Sequence, residues 1–142
     1  MPKKNHVQRS LDYLTWSASR RGVFIPLAHV DLCGSDWPAA VLLSQIVYWF
    51  APSSTKATKA TIVFDGAVWI AKSHKHFEDE VRLTRSQVTR ALGVLKELGL
   101  VRTMVRKFAG SPTTHITVHW PNFFDALDAL KEEKTEVPFA HP

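Results

Sequence analysis

Residues 84–100 read Thr84-Arg85-Ser86-Gln87-Val88-Thr89-Arg90-Ala91-Leu92-Gly93-Val94-Leu95-Lys96-Glu97-Leu98-Gly99-Leu100, and they decide the fold. Thr84 followed by Gln87 is a capping box, in which the hydroxyl accepts from the Gln87 N–H and the amide side chain reaches back. Val88, Ala91, Leu92, Leu95 and Leu98 then recur at helical spacing and form one apolar stripe. Gly99 stops the helix as its left-handed C-terminal residue, and Leu100 supplies the apolar contact expected just beyond. Immediately upstream, Ser73 caps a short helix over His74–Val81, which leaves Arg82-Leu83-Thr84 as a tight turn. Downstream, residues 100–108 read as a strand, Ala109-Gly110-Ser111-Pro112 as a turn, and Thr114–Trp120 as a second strand. In that strand Ile116, Val118 and Trp120 share one face, and His115, Thr117 and His119 the other.

Further upstream, Asp65-Gly66 stands between Ile62-Val63-Phe64 and Ala67-Val68-Trp69-Ile70. Asp-Gly between β-branched runs predicts a hairpin, since a type I′ turn needs positive φ at both central residues. Asp36 caps a helix over Trp37–Phe50, with Pro38 tolerated in its first turn. That helix is apolar on nearly every side and must be buried all round, inside its own domain or partly against another chain. Residues 51–60 form a polar loop whose Lys56 and Lys59 read as a solvated connector. Pro121 opens a final helix with Phe123, Phe124, Leu127 and Leu130 on its apolar side.

The order is helix, hairpin, short helix, tight turn, capped helix, strand, turn, strand. It predicts an α+β fold: a winged helix-turn-helix with an additional N-terminal segment and a C-terminal helix. The expected boundaries are a basic arm with a short helix (Leu11–Ser19) over 1–22, the winged-helix domain over 23–133, and a flexible tail over 134–142. Residues 23–30 are expected to run extended around Pro26.

The whole chain fits one domain. It has 142 residues, 45% hydrophobic and 22% charged, with five Trp. A disordered or collagen-like chain is excluded. The lone Cys33 allows neither an internal disulfide nor a cysteine zinc site. Met1-Pro2-Lys3-Lys4-Asn5 leads into no apolar signal core, and Trp37–Pro52 is too short and interrupted for a membrane span. A reducing, cytoplasmic setting is therefore expected.

The formal net charge of +5 is unevenly placed. Residues 1–22 hold five Lys/Arg against one Asp, and 84–119 hold six against one Glu. Residues 23–83 hold five against six acids, and 120–142 two against five. Clustered cations of this kind are the footprint of a nucleic-acid surface, or of a solvated basic face. The capped helix favours the first, because its outer face carries Arg85, Ser86, Gln87, Thr89 and Arg90 near the N-terminus. Arginine pairs bidentately with guanine and glutamine with adenine. Arg106 and Lys107 near the wing tip, with Ser111 and Thr113 beyond the turn, suit phosphate or minor-groove contact. Lys72 and Ser73 precede a helix N-terminus that is expected to receive a phosphate. Six cations at phosphates, with Arg102 among them, predict a salt slope of about −5.

Residues 39–49 (Ala-Ala-Val-Leu-Leu-Ser-Gln-Ile-Val-Tyr-Trp), the Asp65-Gly66…Trp69-Ile70 segment, and Leu83-Thr84-Arg85-Ser86-Gln87…Leu95-Lys96-Glu97-Leu98-Gly99-Leu100-Val101 carry a resemblance. Over about residues 37–120 the sequence resembles the winged-helix N-terminal domains of phage and plasmid replication-initiation (replisome-organiser) proteins. The resemblance implies double-stranded DNA binding through the helix after Thr84 and the wing, an origin in a bacterial virus or mobile element, and a role in replication initiation or its control. Two alternatives stand beside it: a transcriptional repressor that binds an operator as a dimer, and an adaptor whose basic face docks an acidic host factor or replication protein.

Catalysis is not expected. His74 and His76 point to different sides of one helix, and His115 and His119 lie about 13 Å apart along a strand. Glu78, Asp79 and Glu80 are consecutive and fan around a helix. A nucleophile elbow and a phosphate-cradling glycine loop are missing. Neither metal nor cofactor is expected. The apolar helix 37–50 and the amphipathic helix 121–133 together lead us to expect a homodimer, and with it a two-fold-related site.

Overall fold

The computed structural model describes residues 5–52, 54–55 and 58–136. Three helices come first: α1 (His6–Ser19), α2 (Leu27–Leu32) and α3 (Trp37–Phe50). The hairpin β1 (Ile62–Phe64) and β2 (Ala67–Ala71) follows, then α4 (His74–Val81) and α5 (Arg85–Glu97), then the wing β3 (Val101–Phe108) and β4 (Ser111–Val118), and last α6 (Trp120–Glu136). The four strands form one antiparallel sheet in the order β1-β2-β4-β3. The architecture is α+β, with a helix-turn-helix (α4, α5) followed by a hairpin wing and joined through β2 to the wing's inner strand.

Local chemistry explains the elements that were expected. Asp65 and Gly66 have φ of 51° and 72°, the two positive values a type I′ turn requires. Thr84 Oγ1 accepts from Gln87 N (3.2 Å) and Gln87 Oε1 from Thr84 N (2.8 Å), which closes the capping box. At the other end of α5, Gly99 takes φ 73° while its N–H bonds Lys96 O and the Leu100 N–H bonds Leu95 O, both at 3.0 Å. These two bonds make a Schellman stop. A Cβ at Gly99 would stand 2.9 Å from Asn122 Nδ2, so both φ and space favour glycine there.

α3 is the centre of the core. Ala39, Ala40, Leu42, Leu43 and Ile46 are fully buried, and they meet Phe77 of α4, Val88 and Leu95 of α5, Leu100 and Ile116. Each of the larger side chains among these contributes about 1.5–3 kcal/mol on burial. Most of the apolar surface of α3 is thus accounted for inside its own domain. Phe123, Ala126, Leu127 and Leu130 of α6 also pack on this core. Burial of these faces weakens the ground for expecting a dimer through 37–50 and 121–133, while Trp37, Tyr48 and Phe124 stay about half exposed.

Four boundaries differ from expectation. Residues 23–30 do not run extended throughout, since α2 starts at Leu27 directly after Pro26. The N-terminal helix starts at His6, capped by Asn5 accepting from Gln8 N, and not at Leu11. The wing turn is only Ala109-Gly110, with φ of 50° and 86°, so Ser111 and Pro112 already belong to β4. Trp120 is the first residue of α6 rather than the last of a strand, and α6 runs to Glu136, into the region expected as tail. Residues 137–142, and Lys56 in the loop, lie outside the described residues. Lys59 is folded onto its own loop, 3.0 Å from Pro52 O and over the Tyr48 ring.

Candidate nucleic-acid interface

α5 is fastened by Val88, Ala91 and Leu95, all fully buried, and by Leu92. Its first turn stands clear of the body. Arg85 and Ser86 are exposed there, and neither has a hydrogen-bond or ion-pair partner among the described residues. Gln87 is exposed as well, but its Oε1 is engaged in the cap. A bidentate contact to adenine needs both ends of the amide, so it would require the box to open. Thr89 Oγ1 lies 3.2 Å from His74 Nδ1 and links the two helices of the motif.

Arg90 is not free. Its guanidinium donates to both carboxylate oxygens of Asp36, Nη1 to Oδ2 at 2.8 Å and Nη2 to Oδ1 at 3.1 Å. Asp36 also caps α3 by accepting from Ala39 N. The hydrogen bond from Arg90, then that from Ala39, hold the Asp36 carboxyl below the usual carboxylate range. Arg90 is therefore a clamp between the start of α3 and the middle of α5, and reading a base would break that clamp.

Lys72 is also engaged. Its ammonium lies 2.6 Å from Glu80 Oε2, with side chains only 17% and 10% exposed, and 3.6 Å from the centre of the Trp49 ring. Gln45 Nε2 (2.6 Å) and Trp49 Nε1 (2.7 Å) donate to the other oxygen of Glu80. Burial pushes the Glu80 pKa up, but the hydrogen bonds from Lys72, Gln45 and Trp49 together outweigh it and leave it below the usual range. This cluster ties β2, α3 and α4 together beneath the surface, so Lys72 is no phosphate holder as it stands. Nor is the α4 N-terminus open, because Ser73 Oγ accepts from His76 N while His76 Nδ1 accepts from Ser73 N.

The wing keeps its cations outside. Lys107 is exposed and unpartnered among the described residues, on the strand row that continues Val101, Thr103 and Val105 outward. Arg106 lies on the opposite face, its guanidinium 3.8 Å from the centre of the Phe64 ring. Arg102 stands over Trp69 at 5.9 Å. The β1–β2 hairpin thus supplies aromatic platforms that hold two arginines in a fixed direction while leaving their donors free. Ser111 is exposed next to the turn, and Thr113 is half-buried with its hydroxyl donating to Ser111 O.

Arg85 and Ser86 on α5 and Arg102, Arg106 and Lys107 on the wing are thus accessible polar groups, with Arg102 and Arg106 on the sheet face opposite Lys107. Gln87, Arg90, Lys72 and Ser73 are engaged in caps and ion pairs within the fold. Sequence reasoning missed Arg82, which ends α4 in the left-handed conformation at φ 59° with its guanidinium on Asp79 O. Nothing in the sequence marks a non-glycine residue for that conformation. Among the described residues no cluster of His, Cys, Asp and Glu is arranged to hold a metal, and no helix is long and apolar enough to cross a membrane.

No protein-family model matches the sequence, and no curated protein matches it. One solved structure, described as the N-terminal domain of a DNA-binding protein, aligns over 100% of both chains at 13% identity with a TM-score of 0.43. A likeness that distant does not bear on what this chain binds.

Proposed function

We propose that this protein binds double-stranded DNA through the start of α5 and the wing, without catalysis, and acts in replication initiation of a phage or mobile element or in its control. One observation carries the DNA-binding part. The first turn of a helix anchored by four apolar residues projects Arg85 and Ser86, which have no ion-pair partner among the described residues, and the wing carries three further accessible cations. A helix so fastened presents its N-terminal side chains to a major groove while the wing reaches the flanking backbone. The replication role rests on the resemblance of residues 37–120 to replisome-organiser domains.

Selection of bound sequences from a random duplex pool tests this reading. The expected result is an enriched motif containing guanine, and its loss on Arg85→Ala, with affinity for that motif falling about 10- to 100-fold. No retention of any duplex at low salt would overturn it and favour an adaptor that docks an acidic protein.

A further inference from the structure

The sheet has a core face and an outer face. Ile70, Val101, Ile116 and Val118 belong to the core. By register and alternation, Trp69 of β2, Arg102, Arg106 and Phe108 of β3 and His115 of β4 share the outer face. None of the four strands contains an acid, and neither arginine has an ion-pair partner among the described residues. This face therefore suits an anion. At roughly 3.3 Å per residue the two arginines lie about 13 Å apart along β3, with Phe108 about 7 Å further on.

The same face carries open rings. Trp69 is shut beneath Arg102, but Phe108 is 49% exposed and Phe64, under Arg106, 38%. His115 lies beside Phe108, ring centres 6.2 Å apart and nearly perpendicular, and is itself buried. Its Nδ1 is 2.9 Å from Thr113 O. A carbonyl only accepts, so Nδ1 carries the proton and Nε2 of the neutral ring is an acceptor. No group among the described residues donates to it. Since no fully buried side-chain nitrogen or oxygen lacks a partner among those residues, Nε2 opens to the surface.

We infer that the outer face takes an unpaired DNA strand along β3. Arg102 and Arg106 meet its phosphates, one base stacks on Phe108, and an N–H of that base donates to His115 Nε2. Arg106, held on Phe64, leaves the other side of its guanidinium plane to a neighbouring base. Bases inside a duplex are already stacked and paired, so only a single strand offers its rings in this way. The hydroxyls of Thr113 and Thr117 on this face already donate to Ser111 O and Val68 O, so neither is set to read a ribose 2′-hydroxyl. Arg102 and Arg106 also serve the duplex in the reading above, so the two ligands compete for them. Phe108 and His115 belong to the unpaired strand alone.

Fluorescence anisotropy of the full chain with a labelled oligothymidylate of about eight nucleotides, which does not pair with itself, tests the inference. Binding at low salt is expected, with a salt slope of about −1.4 for two phosphates. Phe108→Leu keeps the apolar bulk but loses the flat ring, and should weaken oligomer binding about 5- to 100-fold, whereas Phe108→Tyr should preserve it. Both variants should keep duplex affinity and the thermal transition. Arg85→Ala should do the reverse, losing the duplex and keeping the oligomer. Loss of duplex binding alone would count against the duplex reading and leave this inference standing. No oligomer binding at low salt, or a Phe108→Leu chain that binds as the natural one does, would overturn the inference. So would a more than tenfold preference for the corresponding oligouridylate, which would make RNA the ligand.

Discussion

Lys72 and Lys107 are both lysines on the strands that frame the helix-turn-helix, and they end in opposite situations. Lys72 lies one residue past β2, under Trp49 and against Glu80, largely shut off from water. Lys107 stands near the tip of β3, exposed and unpaired among the described residues. Arg90 and Arg85, five residues apart on α5, repeat the contrast, one clamped to Asp36 and the other free. A cation's place in a basic block does not say whether it serves the fold or a ligand. The decisive fact is whether the fold brings an acid to it.

The largest expected effect breaks the buried side of the contrast. Lys72→Ala leaves Glu80 buried without its cation and should cost about 3 kcal/mol of stability, read as a lower denaturant midpoint. Duplex affinity of the folded protein should stay within twofold, and a large drop in affinity with unchanged stability would return Lys72 to the interface. Arg85→Ala with Lys107→Ala should do the reverse. Stability should stay within about 0.5 kcal/mol, as for surface positions, while the salt slope of duplex binding falls by about 2.

Asp36→Ala sharpens the comparison, because it converts a clamped arginine into a free one. Loss of the α3 cap should cost about 1 kcal/mol. The released Arg90 should then tighten duplex binding at low salt. Unchanged or weaker binding would show that the clamp positions α5 rather than withholding a cation from it.

The smallest effect is the pH profile of stability. Burial holds His29 below its ordinary value, with Ser44 Oγ 2.9 Å from Nδ1. A depressed histidine favours the folded state fully above about pH 6.5, and that contribution declines as pH falls below it. Asp36 and Glu80, also depressed, contribute fully above about pH 4.3 and are lost as pH falls through their folded values. The denaturant midpoint should therefore dip mildly below about 6.5 and again, more steeply, below about 4.3. A flat profile between pH 8 and 5 would contradict a buried neutral His29.

What was legible in the sequence was local. The Thr84–Gln87 box, the α5 stripe, the Gly99 stop and the Asp65-Gly66 turn each lie within a few residues, and each formed as expected. α2 was not legible, because six residues are too few for periodicity and Pro26 reads equally as extended chain. The site was half legible. Arg85 and Lys107, singled out by residue type, stand exposed, whereas Arg90 and Lys72, singled out in the same way, are held by acids of the fold. Their partners lie 54 and 8 residues away, and folding rather than spacing brings them together. Gln87 carried two readings at once, and the cap took the side chain.

Salt dependence of duplex binding by the natural chain tests the central claim most directly. Of the six cations expected at phosphates or bases (Lys72, Arg85, Arg90, Arg102, Arg106 and Lys107), Arg85, Arg102, Arg106 and Lys107 remain accessible. The plot of log affinity against log salt should therefore have a slope of about −3.6. A slope near −5 would mean that Lys72 and Arg90 leave their acids for phosphates. A slope near zero would mean that this surface does not meet a duplex.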